Sequence, residues 1–164
     1  MKDGRDLVWK ALVDAFPDEP IPNGRSIAAT DVGTEAEEET NPFLGRRWKD
    51  VSGTLCLRHW DALSWMRPDA YIYYLPAFLW TVVENYIISC SSNIVDGVLS
   101  NFISKKERWY VRSSEDRLLL LNQSRFNALI VWINYLEQID ENFAKDYKTD
   151  EVKLRIFELS EEFR

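Results

Sequence analysis

The chain has 164 residues, a length that suits one domain of ordinary size rather than two. Apolar types make up 46% and charged types 29%, a globular composition that excludes collagen-like, low-complexity and wholly disordered chains. The net charge of −7 argues against nucleic acid as a partner, because backbone phosphates would be repelled at long range.

Helical periodicity dominates from the start. Leu7, Val8, Ala11, Leu12, Ala15 and Phe16 form the apolar stripe of an amphipathic helix that Pro17 and Pro20 end. Residues 17–26, with Pro17, Pro20, Pro22 and an Asn23-Gly24 step, read as an extended, turning surface loop. Asp31 to Gly45 reads as a short acidic helix with Thr34 as N-cap, glutamates in its first turn and Pro42 breaking it. Asn41-Pro42-Phe43 is then the turn at its end.

Leu55 to Met66 is predicted helical, with Trp60, Leu63 and Met66 able to share a face. Pro68 disfavours helical geometry at Arg67 yet suits the first turn of a new helix. Tyr71, Leu75, Phe78, Leu79, Val82 and Tyr86 form the stripe of that helix, and Tyr74, Trp80 and Val83 broaden it into a central one. Pro76 inside it removes a backbone hydrogen bond and should kink it. Tyr73 and Trp80 fall off the main stripe and are candidates for an exposed surface or groove.

Beyond Ser89 to Ser92, a third stripe comprises Ile94, Val95, Val98, Leu99, Phe102 and Ile103, closed by Lys105 and Lys106. Residues 107–121 are ambiguous: Trp109 to Val111 could form a short strand, and Leu118 to Leu121 a strand or a helix start. Asn122 caps a helix running to about Ile139 with Phe126, Leu129, Ile130, Ile133 and Leu136 inward. A polar connection from Asp140 to Lys148 leads to a last helix, capped by Thr149, that buries Val152, Ile156, Leu159 and Phe163. The expectation is an all-α single domain spanning residues 1–164, with about six or seven helices and at most a minor strand pair. Rossmann and P-loop architectures lack their signatures here.

Chemistry is narrowed by subtraction. A single histidine, His59, excludes multi-His metal sites, and two cysteines, Cys56 and Cys90, cannot build a four-cysteine zinc site. No metal, cofactor or catalytic set is expected. The opening residues 1–16 alternate charged with apolar types, unlike a signal peptide, and the apolar run Tyr71 to Val83 is too short to span a bilayer. A cytoplasmic protein without a membrane partner is therefore expected. Cys56 and His59 lie one turn apart and could make a thiolate–imidazolium pair, but no third group orients the base. The carboxylates Glu35, Glu37, Glu38 and Glu39 form the densest like-charge cluster, either a solvated face or a docking surface for a basic protein partner. Asn122-Gln123-Ser124 fits a glycosylation sequon but reads as a helix cap.

The segment from Ser64 to Leu79 resembles a family of small uncharacterised bacterial proteins. Its members carry a leucine, Ser/Thr-Pro-Glu-Ala-Phe and then an aromatic-Tyr-Leu-Pro-Ala-Tyr/Phe run. The specific match is Tyr73-Tyr74-Leu75-Pro76-Ala77. Glu35 to Glu39, Trp48 and Gln123 to Leu136 match further features of the family more loosely. Met66-Arg67 departs from it, standing where a leucine and a small polar residue are usual. The resemblance implies a bacterial, helical, single-domain protein and supplies no catalytic residues. Size and charge are also similar to those of immunity proteins, which implies a non-enzymatic antitoxin that occludes a cognate toxin. Another interaction or scaffold module, or an enzyme around Cys56 and His59, are the alternatives.

Overall fold

A computed structural model describes residues 3–29, 33–100, 102 and 117–162. Ten α-helices are present among the described residues, and the only extended pairing there is an isolated antiparallel bridge between Ala28 and Met66. The all-α expectation holds, with more and shorter helices than periodicity implied.

Helix α1, Gly4–Ala15, starts where the Asp3 side chain accepts the Arg5 amide, and buries Val8, Leu12 and Ala15. Leu7, expected in the stripe, is half exposed. Helix α2, Gly33–Thr40, runs into a 3₁₀ turn, Asn41–Phe43, with Pro42 at its start, as expected of Asn41-Pro42-Phe43. Thr34 lies inside the first turn of α2 rather than at its cap. A second 3₁₀ turn, Trp48–Asp50, precedes α3.

The single helix expected over Leu55 to Met66 is instead two: α3, Gly53–Arg58, and α4, Ala62–Trp65. The break is tertiary in origin. The turn between them lies against the later helix α7, Ile94–Leu99, where a Cβ on Gly97 would stand 3.3 Å from the Trp60 carbonyl oxygen. That close approach holds Trp60 in a turn, so Trp60 is exposed while Leu63 and Met66 are buried.

Helix α5, Pro68–Glu84, begins at the predicted proline and packs on α1, α3, α4, α7 and the second 3₁₀ turn. It also packs on α6, Tyr86–Ser91, which contains Tyr86, expected within the central helix. Nearly all of α5 is buried, from Ala70 to Leu79 without interruption, which makes it the hub of the core. With so many neighbours, the hydrogen bond lost at Pro76 is offset by packing. Ile94, Val95, Val98, Leu99 and Phe102 are buried as predicted. Ile103, Lys105, Lys106, the Trp109 to Val111 strand and Phe163 lie outside the described residues. Leu118 and Leu121 are buried, with Leu119 and Leu120 exposed between them in a turn.

Helix α8, Gln123–Ile139, is capped as expected: Asn122 Oδ1 accepts the Arg125 amide at 3.1 Å. Its Trp132 Nε1 donates to the Leu79 carbonyl at 2.8 Å, tying it to α5. Ile130, predicted inward, is half-buried. The polar connection contains a short helix α9, Phe143–Asp146, whose Phe143 is fully buried. Helix α10, Thr149–Glu162, then buries Val152, Ile156 and Leu159 against α8 and α9. Thr149 is the first helical residue, and its hydroxyl donates to Glu137 on α8 instead of capping α10. No helix among the described residues is long and apolar enough to cross a membrane.

Candidate functional site

Helix α2 has few apolar residues, and only Ala36 and Thr40, one turn apart, are buried. The Thr40 hydroxyl satisfies itself by donating to the Ala36 carbonyl at 2.8 Å. This anchoring turns Glu35, Glu37 and Glu38 outward; all are exposed and none makes an ion pair among the described residues. Glu39 behaves differently. It is half-buried, with its Oε2 3.0 Å from His59 Nδ1. That contact joins α2 to the turn carrying Trp60. The neighbouring Asp61 accepts Trp65 Nε1 at 3.0 Å. Burial pushes the Asp61 carboxyl up from its ordinary value and the charge of Glu39 adds to this, against hydrogen bonds from Ser64 and Trp65. The acidic face of α2 is thus joined, through Glu39 and His59, to the turn that carries exposed Trp60.

Tyr73 and Trp80 do not belong to that face. Tyr73, expected on an exposed surface or groove, is buried, and its hydroxyl donates to the Asp18 carbonyl at 2.7 Å. Its ring lines a groove between α5 and the 17–23 loop. Trp80 is half-buried, its ring 4.8 Å from that of Trp9, which in turn meets Trp48 at 5.6 Å. Both side chains were drawn inward because α1 and the Trp48 turn cover that side of α5.

Cys56 and His59 are not brought together as a reactive pair. Cys56 is fully buried against α5, where burial pushes its thiol up to about 12 despite a hydrogen bond with Thr81. His59 turns the other way, to Glu39 and the edge of the Phe43 ring. Both cysteines are free thiols. No group of three or more metal-ligating side chains occurs among the described residues.

The loop after α1 is better organised than its prolines suggested. Arg67 donates to the carbonyls of Ser26 at 2.9 Å and Asn23 at 2.8 Å while its Nε bonds Asp69 at 2.7 Å. Backbone bonds from Arg67 to Ile27 and from Ala29 to Trp65 fasten the rest, and Ile27 is fully buried. Between this loop, α5 and the start of α8 lies a cavity of about 380 Å³. Arg125 lines it, donating through Nη1 to the Leu120 carbonyl at 2.7 Å and lying 5.6 Å over the Phe16 ring. Burial pulls the Arg125 pKa down from its ordinary value. Sequence reasoning missed Arg125. The available signal was its place in the first turn of a helix, where the dipole disfavours a cation.

The chain belongs to a family described as "Family of unknown function (DUF6714)", which matches residues 8–155. No curated protein and no solved structure matches it.

Proposed function

We propose that this chain, from a family without an assigned activity, is a non-enzymatic binding module that docks a basic protein partner on its α2 face. Toxin neutralisation by an immunity protein, through occlusion of the toxin's active surface, is the finer form of the reading. The reading is supported by the exposure of Glu35, Glu37 and Glu38, none of them ion-paired among the described residues, and by the contact between Glu39 and His59, which joins α2 to the turn that carries exposed Trp60. An aromatic anchor with a charged rim is the usual division of labour in an interface: the anchor sets the lifetime and the rim the encounter rate. The net charge of −7 favours a cationic partner in the same way.

Binding kinetics test this against purified basic proteins encoded beside the gene. Reversing Glu35 and Glu38 to Lys should slow association at about 0.1 M salt and leave little difference at about 1 M, where the Debye length falls from ~10 to ~3 Å. Trp60→Ala should instead speed dissociation. Equal association rates for wild type and the reversed variant at low salt would remove α2 from the interface.

A further inference from the structure

We infer that the outer face of α10 is a second docking site, for a basic amphipathic helix of another protein. Val152, Ile156 and Leu159 turn one side of α10 to the core. Leu154 and Phe157 stand on the opposite side, one turn apart and each 60% exposed. Neither side chain is needed to close the fold. Two large apolar side chains at this spacing on one helix are the anchors that a partner helix engages at three- and four-residue intervals.

The charges around that pair select the partner. Asp150 and Glu158 lie four positions to either side of Leu154, and Glu161 lies four beyond Phe157. All three are exposed, and so is Glu151, three positions before Leu154. The cations of α10 do not reverse this sign. Lys153 is half-buried and turned to Glu137 on α8, at 2.7 Å. Arg155 reaches Glu158 at 3.2 Å, and Lys148, just before the helix, stands 4.0 Å from Glu151. The rim therefore sets the four carboxylates of Asp150, Glu151, Glu158 and Glu161 against the two cations of Lys148 and Arg155. Its excess is negative. A second copy of the chain fits poorly, because a twofold axis through Leu154 and Phe157 lays one acidic rim on the other. An anionic lipid surface is repelled for the same reason. A helix with an apolar stripe and Lys or Arg along its flanks meets both the anchors and the rim.

The inference does not rest on the α2 reading, and its test separates the two faces. The probe is a synthetic helical peptide of leucine, alanine and lysine, with its leucines three and four positions apart. One control peptide has the same composition with the leucines spread around the helix, and another carries glutamate in place of lysine. Fluorescence anisotropy of labelled peptide with the full chain, at about 0.15 M salt where the Debye length is ~8 Å, gives affinity. Amide resonances of α10 and the Trp60 indole resonance report position. The striped basic peptide should bind and shift Leu154 and Phe157 while leaving Trp60 in place, and both controls should bind at least about tenfold more weakly. Replacing Leu154→Gln and Phe157→Gln together should weaken binding by at least about tenfold, since each removes an apolar side chain from the contact. Melting should stay unchanged, because both positions are exposed. If that variant does not fold, the resonance shifts in the wild-type chain decide. Equal binding of the leucine-spread control, shifts at Trp60 in place of α10, or no binding below about 0.1 mM would each overturn the assignment. Self-association of the wild-type chain that Leu154→Gln and Phe157→Gln abolish would also overturn it, by making a second copy the occupant.

Discussion

Glu39 and His59 meet through their side chains, Oε2 3.0 Å from Nδ1, although 20 positions separate them in the sequence. The contact is half-buried and fastens a helix whose only buried residues are Ala36 and Thr40. It also separates Glu39 from its three exposed neighbours, which look equivalent in sequence. One glutamate of the cluster is structural, and the others are available to solvent or a partner.

Glu39→Gln should therefore lower stability, by up to about 1 kcal/mol as for a partly exposed pair. Glu38→Gln should change it by less than about 0.5 kcal/mol. Denaturant titration of both variants distinguishes them. Equal midpoints would mean that the contact with His59 does not hold α2.

Leu79 is fully buried in α5, and its carbonyl receives Trp132 Nε1 from α8. Leu79→Ala leaves a void where α5 meets its neighbours and should cost ~2–5 kcal/mol. Thermal or denaturant unfolding measures this. A loss below about 0.5 kcal/mol, typical of a surface position, would remove α5 from the centre of the core.

Glu137 predicts a response to acid. Burial alone pushes its carboxyl up, but Lys153 at 2.7 Å and the Thr149 hydroxyl together outweigh this and hold it below the usual value. A carboxyl held low in the folded state contributes stability above its unfolded pKa of ~4.3 and loses it as pH falls through the folded value. Glu137→Gln should therefore be less stable than wild type near neutral pH, with the difference shrinking below about pH 4. A difference independent of pH would show that the ionised form is not the one stabilised between α8 and α10.

The two thiols should differ in reactivity. Cys56 is fully buried with its thiol raised to about 12, whereas Cys90 is partly exposed. A disulfide reagent at about pH 8 should modify Cys90 first and reach Cys56 only on unfolding. Partner binding should survive Cys56→Ala apart from a stability loss. Rapid modification of Cys56 in the native state, or loss of binding in a folded Cys56→Ala protein, would restore the nucleophile reading.

Whatever depended on neighbours in the chain was legible in advance. Pro68 starts α5 because its ring presets the first helical turn, and Asn122 starts α8 because its side chain accepts the Arg125 amide. The buried stripes of α1, α5 and α8 followed from a period that brings residues three and four apart onto one side. The acidic cluster was visible as composition. What divided it was the position of His59, and that follows from how α2 packs on α4. Tertiary packing also broke the predicted Leu55 to Met66 helix, where Trp60 meets Gly97, and drew Tyr73 inward under the loop that carries Asp18. The cavity was wholly tertiary: Phe16, Ile72 and Arg125 come from three separate stretches of chain. Helices arise from short-range hydrogen bonds and side-chain periodicity, which a linear sequence records directly. Pairings, breaks and cavities arise where distant surfaces compete for the same space, and only the folded chain decides between them.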